Sequence, residues 1–229
     1  METGRELRVA GAIGDEFNRP AVKRRLRPKR GLEGFEGVAS LAESELQALV
    51  TCAGAPWSWP SRVEAASRLS LDFYPGYGLY ELHLNHAEVG RPMFAIRRDD
   101  DARIVRESNE LFYALNEDVP IQLNDENVLL YVQIFLRFVR GRQGHFHVME
   151  STDDVPGWGD LDPAKRSSIA EHIVPLRVRT SSDGDGWTVD ASVLFKEALF
   201  TSEIDVARDG TITMGDGKLR VDGIRWSRE

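Results

Sequence analysis

The sequence predicts an α+β fold in which a long, enclosed helix packs on a curved antiparallel sheet. One segment, residues 124–140, is apolar around nearly its whole circumference and lies between helix-capping signals. Short segments of alternating apolar and polar residues then follow one another through turn residues. The chain has 229 residues, enough to bury about 70% of its extended surface. An enclosed helix followed by consecutive strands is typical of the α+β class.

The helix predicted over residues 124–140 has recognisable ends. Asn124 is a favourable N-cap, and Arg137 and Arg140 complement the negative end of the helix dipole. Gly141 is placed to end the helix. Apolar residues between these ends cover nearly the whole circumference, so other elements must enclose this helix.

Alternation of apolar and polar residues predicts the strands. Ahead of the long helix these are residues 79–84, 93–97 and, after a turn at Asp99-Asp100-Asp101, 111–115. After the long helix they are residues 145–150, 174–179, 187–195, 199–206, 211–214, 219–221 and 224–226. Two shorter helices are predicted, one over residues 40–53 and one opened by Asp162 and Pro163.

This order of elements is similar to that of the nuclear-transport-factor and cystatin-like rolls, in which a curved sheet wraps around a helix. The similarity concerns the order of elements alone, so it implies a fold and no activity.

A second resemblance is carried by residues 131–150. Their core is Phe-Val-Arg-Gly-Arg-Gln-Gly-His-Phe-His-Val-Met-Glu, which runs from a Phe-rich helix through a Gly-x-x-Gly turn into a strand ending in Glu. This stretch resembles a family of uncharacterised bacterial proteins, and the layout of residues 79–226 fits the same family. The resemblance implies an intact domain, without a reaction, a cofactor or a catalytic residue.

Charge divides the chain into a basic leader, residues 1–37, and a single α+β domain, residues 38–226. Residues 1–30 hold nine Lys or Arg against four Asp or Glu, with Arg19 to Arg30 especially basic. The remainder holds 20 basic against 33 acidic residues. Because an acidic body repels phosphates, we do not expect nucleic acid as the main partner. We expect the leader to be weakly ordered or docked on the acidic body.

The chain carries the features of a cytoplasmic protein. Its single cysteine, Cys52, allows no internal disulfide and lies among apolar residues. No run approaches the roughly 18 apolar residues that a membrane span requires. The N-terminus shows no apolar segment of the kind found in secretory signals.

Aromatic residues between prolines and glycines form the first candidate site. Trp57, Trp59, Tyr74 and Tyr77 fall in an irregular segment, and Tyr and Trp in such loops are typical of recognition surfaces. Packing of the same rings into the core is the alternative interpretation. The aromatic residues therefore define a binding hypothesis.

His145 and His147 form the second candidate site. Residues two apart on a strand share a face, so this pair supplies two ligands of a metal site if a third converges on them. Hydrogen-bonded or solvent-facing histidines are the alternative.

No catalytic signature stands out in the sequence. We therefore expect a non-catalytic module that binds a small ligand or another protein, with no cofactor. A small-molecule hydrolase or isomerase with a pocket histidine, metal-dependent or not, is the alternative. The identity of the partner and a homodimer stay open.

Overall fold

The computed structural model describes residues 32, 35–38, 63–84, 92–141, 144–181 and 184–224. The predicted helix over residues 40–53, Cys52 and nearly all of the basic leader lie outside these residues. At the start of the described part, Leu32 and Phe35 pack against the main core.

The first sheet contains five antiparallel strands in sequence order. They are β1 (Glu36–Val38), β2 (Val63–Ser70), β3 (Gly78–Leu84), β4 (Met93–Arg98) and β5 (Asp101–Ile104). Two of them, β3 and β4, agree with the strands predicted over residues 79–84 and 93–97. The turn predicted at the aspartates joins β4 to β5, with Asp99 at φ +50°.

Two helices connect the sheets, α1 (Glu110–Asp118) and α2 (Val128–Phe138). The strand predicted over residues 111–115 was wrong, because these residues belong to α1. Phe112 and Leu115 are its buried side chains, and their spacing of three residues is helical. A run of five apolar residues does not by itself distinguish a strand from a buried helix.

The enclosed helix exists but is shorter than predicted. Asn124 caps a turn that precedes the helix. Its side-chain oxygen accepts hydrogen bonds from the backbone N–H groups of Glu126 and Asn127 at 2.9 and 3.0 Å. Regular helix begins only at Val128. At the other end Val139 is extended, and Arg140 and Gly141 already form a strand. The chain therefore leaves the helix before the predicted glycine, because it turns directly into a hairpin.

The second sheet is also antiparallel and is curled into a half-barrel. Its strands are β6 (Arg140–Gly141), β7 (Gly144–Val148), β8 (Arg177–Thr180), β9 (Gly186–Phe195), β10 (Ala198–Ala207), β11 (Ile212–Met214) and β12 (Lys218–Val221). The order is β11-β10-β9-β7-β6, with β8 also paired to β9 and β12 also paired to β10. The α+β class and the curled antiparallel sheet are thus confirmed, although the described residues form two sheets rather than one.

Both faces of the second sheet are covered, by different elements. One face joins α1, α2 and the first sheet in the main core, which includes Tyr131, Phe135, Val189 and Ile204. The opposite face is covered by α3 (Pro163–His172), where Asp162 caps the helix as predicted by accepting from the N–H of Lys165. A smaller apolar cluster lies between them, formed by Met149, Val155, Leu161, Ile169, Leu194, Leu199, Val221 and Ile224.

A helix that crosses a membrane must be long and apolar. None of the helices in the described part of the chain is long and apolar enough to cross a bilayer.

Candidate functional site

An apolar groove lies on the core face of the second sheet, at the end where β9 turns into β10. Its volume is about 170 Å³, and it is partly open to solvent. We call it the β9–β10 groove. The residues that line it are Phe146, Val193, Phe195, Phe200, Ser202, Met214 and Gly217.

Strand register explains why residues so far apart in sequence meet here. Phe146 of β7 lies opposite Phe195 of β9, and Phe200 of β10 lies opposite Val193. Directly opposed residues in antiparallel strands place their side chains on the same face. Phe146 and Phe195 consequently stack, with ring centroids 5.0 Å apart and planes inclined by 21°.

The same face is fully buried further along the sheet. Val189 and Ile204 are 0% exposed within the main core. Phe146, Phe195, Phe200 and Met214 are instead only partly buried. Exposed aromatic surface at a concave position is unusual unless something covers it, because large apolar side chains favour burial.

The chemistry of the groove is almost wholly apolar. Among the described residues that line it, Ser202 has the one polar side chain, and its hydroxyl donates to the backbone carbonyl of Gly215 at 3.2 Å. No acid, base or thiol is among the lining residues. Beside the groove, the ammonium nitrogen of Lys196 lies 5.8 Å from the centroid of the Phe195 ring. The described lining can therefore hold an apolar group, and it presents no general acid or base to that group.

The predicted aromatic binding residues are placed differently. Trp57 and Trp59 lie outside the described residues. Tyr74 and Tyr77 are 0% and 1% exposed, so their rings are packed in the main core, which was the alternative interpretation. Neither tyrosine lines the β9–β10 groove.

Tyr74 belongs to a buried hydrogen-bond network. Its hydroxyl donates to the side-chain oxygen of Asn116, and the Asn116 amide donates to the hydroxyl of Tyr131 at 3.3 Å. Tyr131 in turn donates to the carbonyl oxygen of Gly210 at 2.7 Å. Burial raises the pKa of both Tyr74 and Tyr131 well above the ordinary value, so both phenols stay protonated. The network joins α1 and α2 to the turn between β10 and β11.

Tyr77 is held by a charged cluster at the start of β5. Its hydroxyl donates to Asp101 at 2.6 Å, and the Arg103 guanidinium contacts both Asp101 and Asp118. Arg98 lies over the Tyr77 ring, 4.6 Å from its centroid. Partial burial acts to raise the pKa of Asp101, but the Tyr77 hydrogen bond and Arg103 outweigh it and hold the pKa below the ordinary value.

His145 and His147 lie on one face of β7, with Phe146 between them on the other face. The strand register therefore places both histidines away from the groove. His147 is opposite Leu194, a residue of the cluster under α3, whereas Phe146 between them lines the groove. His145 lies 3.3 Å from Glu107, which also pairs with Arg140. Within the described ranges no three His, Cys, Asp or Glu side chains converge as metal ligands. The metal site stays a prediction, to be checked by elemental analysis of the protein and of a His145→Ala, His147→Ala variant.

Sequence analysis did not single out the groove residues. Alternation shows that Val193 and Phe195 share a face, and that Phe200 and Ile204 share one. Alternation does not reveal that these two faces contact Phe146 and Met214. It also does not reveal that this contact lies at an end of the sheet where the core covers the side chains only partly.

Similarity to known proteins does not assign a role to this site, because none was found. Comparison of the chain with protein-family models, with curated proteins and with solved structures gives no match.

Proposed function

We propose that this chain is a non-catalytic binding protein whose β9–β10 groove takes one apolar group of its ligand or partner. The observation that carries the proposal is the groove itself, about 170 Å³ and lined by three phenylalanines, a valine and a methionine. Covering the part of these rings that is still exposed removes apolar surface from water, which is favourable by about 25 cal/mol per Å².

Volume limits what the groove can hold. An apolar protein cavity of about 150 Å³ accommodates a benzene ring. Sites for complete drug-sized ligands are larger, roughly 300–1,000 Å³. The expected occupant is therefore one ring or one branched aliphatic group, either as a small molecule or as a side chain of a larger partner.

The hydrolase or isomerase alternative gains no support from the geometry. Its chemistry requires a titratable side chain in the pocket. Among the described lining residues the one polar side chain is Ser202, whose hydroxyl donates to the Gly215 carbonyl. The histidine and metal hypotheses rest on sequence alone.

Three broader expectations belong to the same proposal. The curled sheet and enclosed helix are compatible with the roll seen in cystatin-like and nuclear-transport-factor proteins. Membership of the uncharacterised bacterial family rests on residues 131–150. A cytoplasmic location rests on composition, with its single cysteine.

The proposal is tested with toluene as the apolar probe and methionine methyl groups as reporters. The chain has four methionines, of which Met214 lines the groove and Met149 is buried at 2% exposure under α3. In protein labelled with ¹³C at the methionine methyls, toluene should shift the Met214 signal saturably through the ring current. The Met149 signal, on the other face of the sheet, should stay in place.

Two results would count against the proposal. Toluene could leave Met214 unchanged up to its solubility limit, in which case the groove does not bind a single ring. It could also shift Met149 and Met214 equally and without saturation, which indicates a solvent effect on the whole protein.

A further inference from the structure

We propose that the occupant of the β9–β10 groove is a small phenol, whose ring lies against the phenylalanines and whose hydroxyl donates a hydrogen bond to the side-chain oxygen of Ser202. This inference rests on the binding function proposed above and assigns the chemical class of the ligand. Its support is the buried position of Ser202, the acceptor capacity of the Ser202 oxygen and the aromatic lining of the groove.

Ser202 lies at the buried end of the groove. Phe200, Ser202 and Ile204 point to the same face of β10, because side chains alternate between the two faces of a strand. Phe200 is partly exposed, Ser202 is 6% exposed and Ile204 is 0% exposed. A ligand that enters from the open end therefore meets the phenylalanine rings first and the Ser202 hydroxyl last.

The oxygen of Ser202 has acceptor capacity that the described residues do not use. Its O–H donates to the carbonyl oxygen of Gly215 at 3.2 Å, with a longer alternative to that of Glu203 at 3.5 Å. A serine oxygen can also accept hydrogen bonds through two lone pairs. Within the described ranges no N–H or O–H group donates to it. Because buried polar atoms are normally satisfied, a ligand that brings a hydrogen-bond donor is complementary to this end of the groove.

The hydrogen bond to Gly215 decides which kind of polar group fits. A ligand with an acceptor alone, such as an ether or a ketone, would have to turn the Ser202 O–H away from the Gly215 carbonyl. That carbonyl would then lose its Ser202 partner, which is unfavourable inside a protein. A donor on the ligand leaves the existing hydrogen bond in place and adds a second one.

The lining of the groove favours an aromatic ligand with one donor. Phe146, Phe195 and Phe200 all line it, and aromatic rings gain from offset or edge-to-face packing beyond the area that they bury. A phenol has one O–H, whereas an aniline has a second N–H that would be buried without a partner. A volume of about 170 Å³ is close to that of a cavity that holds a single benzene ring.

A free small molecule is a better occupant than a tyrosine side chain of a protein partner. A stable protein interface buries roughly 1,000 Å² or more. A single ring inserted into the groove supplies only a small part of that area. The same ring is most of a monocyclic phenol, so for a small molecule the groove is sufficient by itself.

The test compares p-cresol with p-xylene, which has a methyl group in place of the hydroxyl. The Met214 methyl signal reports binding of both, in the unchanged protein and in Ser202→Ala. Loss of the acceptor should weaken p-cresol binding by roughly 5- to 50-fold, because the phenol O–H is then buried without a partner. Binding of p-xylene should be unchanged or slightly stronger, because it makes no hydrogen bond.

A matched variant controls for loss of a hydroxyl from β10. Thr201→Val removes the neighbouring hydroxyl, on the opposite face of the strand, which accepts from the Arg220 guanidinium at 2.8 Å. It should alter neither affinity. Equal weakening of p-cresol binding in Thr201→Val and Ser202→Ala would overturn the inference. If Ser202→Ala does not fold, Ser202→Cys replaces the oxygen by a weak sulfur acceptor and should also weaken p-cresol binding selectively.

The remaining outcomes separate this inference from the proposed function. If p-xylene and p-cresol both bind saturably and Ser202→Ala changes neither affinity, the groove binds apolar rings and the phenol inference fails alone. If no probe shifts Met214, the proposed function fails as well. If a blocked Gly-Tyr-Gly peptide binds more than about tenfold tighter than p-cresol, contacts beyond the groove contribute and a partner's tyrosine replaces the small molecule as the occupant.

Discussion

The hydroxyl of Tyr131, on α2, donates a 2.7 Å hydrogen bond to the carbonyl oxygen of Gly210, in the turn between β10 and β11. The two residues are far apart in sequence, and Tyr131 is 0% exposed. A helix inside the core is thereby tied to a turn at the margin of the second sheet. The same hydroxyl accepts from the Asn116 amide, so three segments depend on a single oxygen atom.

Removal of that oxygen should destabilise the fold. In Tyr131→Phe the Gly210 carbonyl and the Asn116 amide both lose a buried partner, which costs about 1–3 kcal/mol. Urea denaturation measures the change in the free energy of unfolding. Tyr80→Phe deletes the same atom from a partly buried ring on β3 and should change stability by less than about 0.5 kcal/mol. Equal losses in the two variants would contradict a special role for the network.

Gly210 should tolerate no side chain. It adopts φ +81°, and an added Cβ would lie 2.9 Å from the Tyr131 hydroxyl and 3.0 Å from Ile121. Gly184 has a similar φ of +75° but open space around it. We expect Gly184→Ala to cost about 1–2 kcal/mol for the left-handed backbone alone. Gly210→Ala should cost more, because it adds crowding of the network, and thermal or urea unfolding of the pair measures the difference. A smaller loss of unfolding free energy in Gly210→Ala than in Gly184→Ala would contradict this prediction, because it would show that the turn shifts to accommodate a methyl group.

Acid should weaken the Tyr77–Asp101–Arg103 cluster. The folded state holds the pKa of Asp101 below its ordinary value, so its contribution is fully present above the pKa of the unfolded chain, near 4. As pH falls through that range the unfolded state takes up the proton first, and stability declines until the folded carboxylate is also protonated. Asp101→Asn should therefore show a smaller loss of stability between pH 7 and pH 3 than the unchanged protein. A steeper loss in the variant would reverse the assigned sign.

Alkali should act on the buried phenols. Burial raises the folded pKa of Tyr131, whereas in the unfolded chain tyrosine ionises near pH 10. Stability from the protonated phenol is complete below that pH and is lost as pH rises towards the folded pKa, since the unfolded state releases its proton first. Between pH 10 and 11.5, the free energy of unfolding should fall less steeply in Tyr131→Phe than in the unchanged protein. The two slopes should differ by up to about 1.4 kcal/mol per pH unit. Parallel slopes for the two proteins would place the titration elsewhere.

Sequence periodicity predicts much of this fold, for reasons visible in particular elements. Apolar and polar residues alternate strictly over residues 187–193, and β9 is found there as Gly186–Phe195. The apolar circumference of residues 128–138 correctly predicts a helix covered on all sides. Residues 111–115 were mispredicted because a short apolar run carries no decisive period. Local signals are thus reliable where the pattern is long.

The sites were less predictable, because they depend on contacts between distant segments. Tyr74 looks like a surface aromatic beside Pro75 and Gly76, yet its hydroxyl meets Asn116 in the interior. The β9–β10 groove combines β7, β9, β10 and the edge at Gly217, and its existence depends on where core coverage of the sheet ends. No local pattern encodes that limit.

The central claim, that the β9–β10 groove binds an apolar group, is tested most directly by filling it. Gly217→Leu should place a side chain against Phe200, since an added Cβ would lie 3.4 Å from that residue without backbone strain. Gly159→Leu introduces the same residue where nothing lies within 4 Å. Toluene titration of the Met214 signal should lose saturable binding in Gly217→Leu and retain it in Gly159→Leu. Unchanged binding in Gly217→Leu, with its fold intact by circular dichroism, would contradict the account.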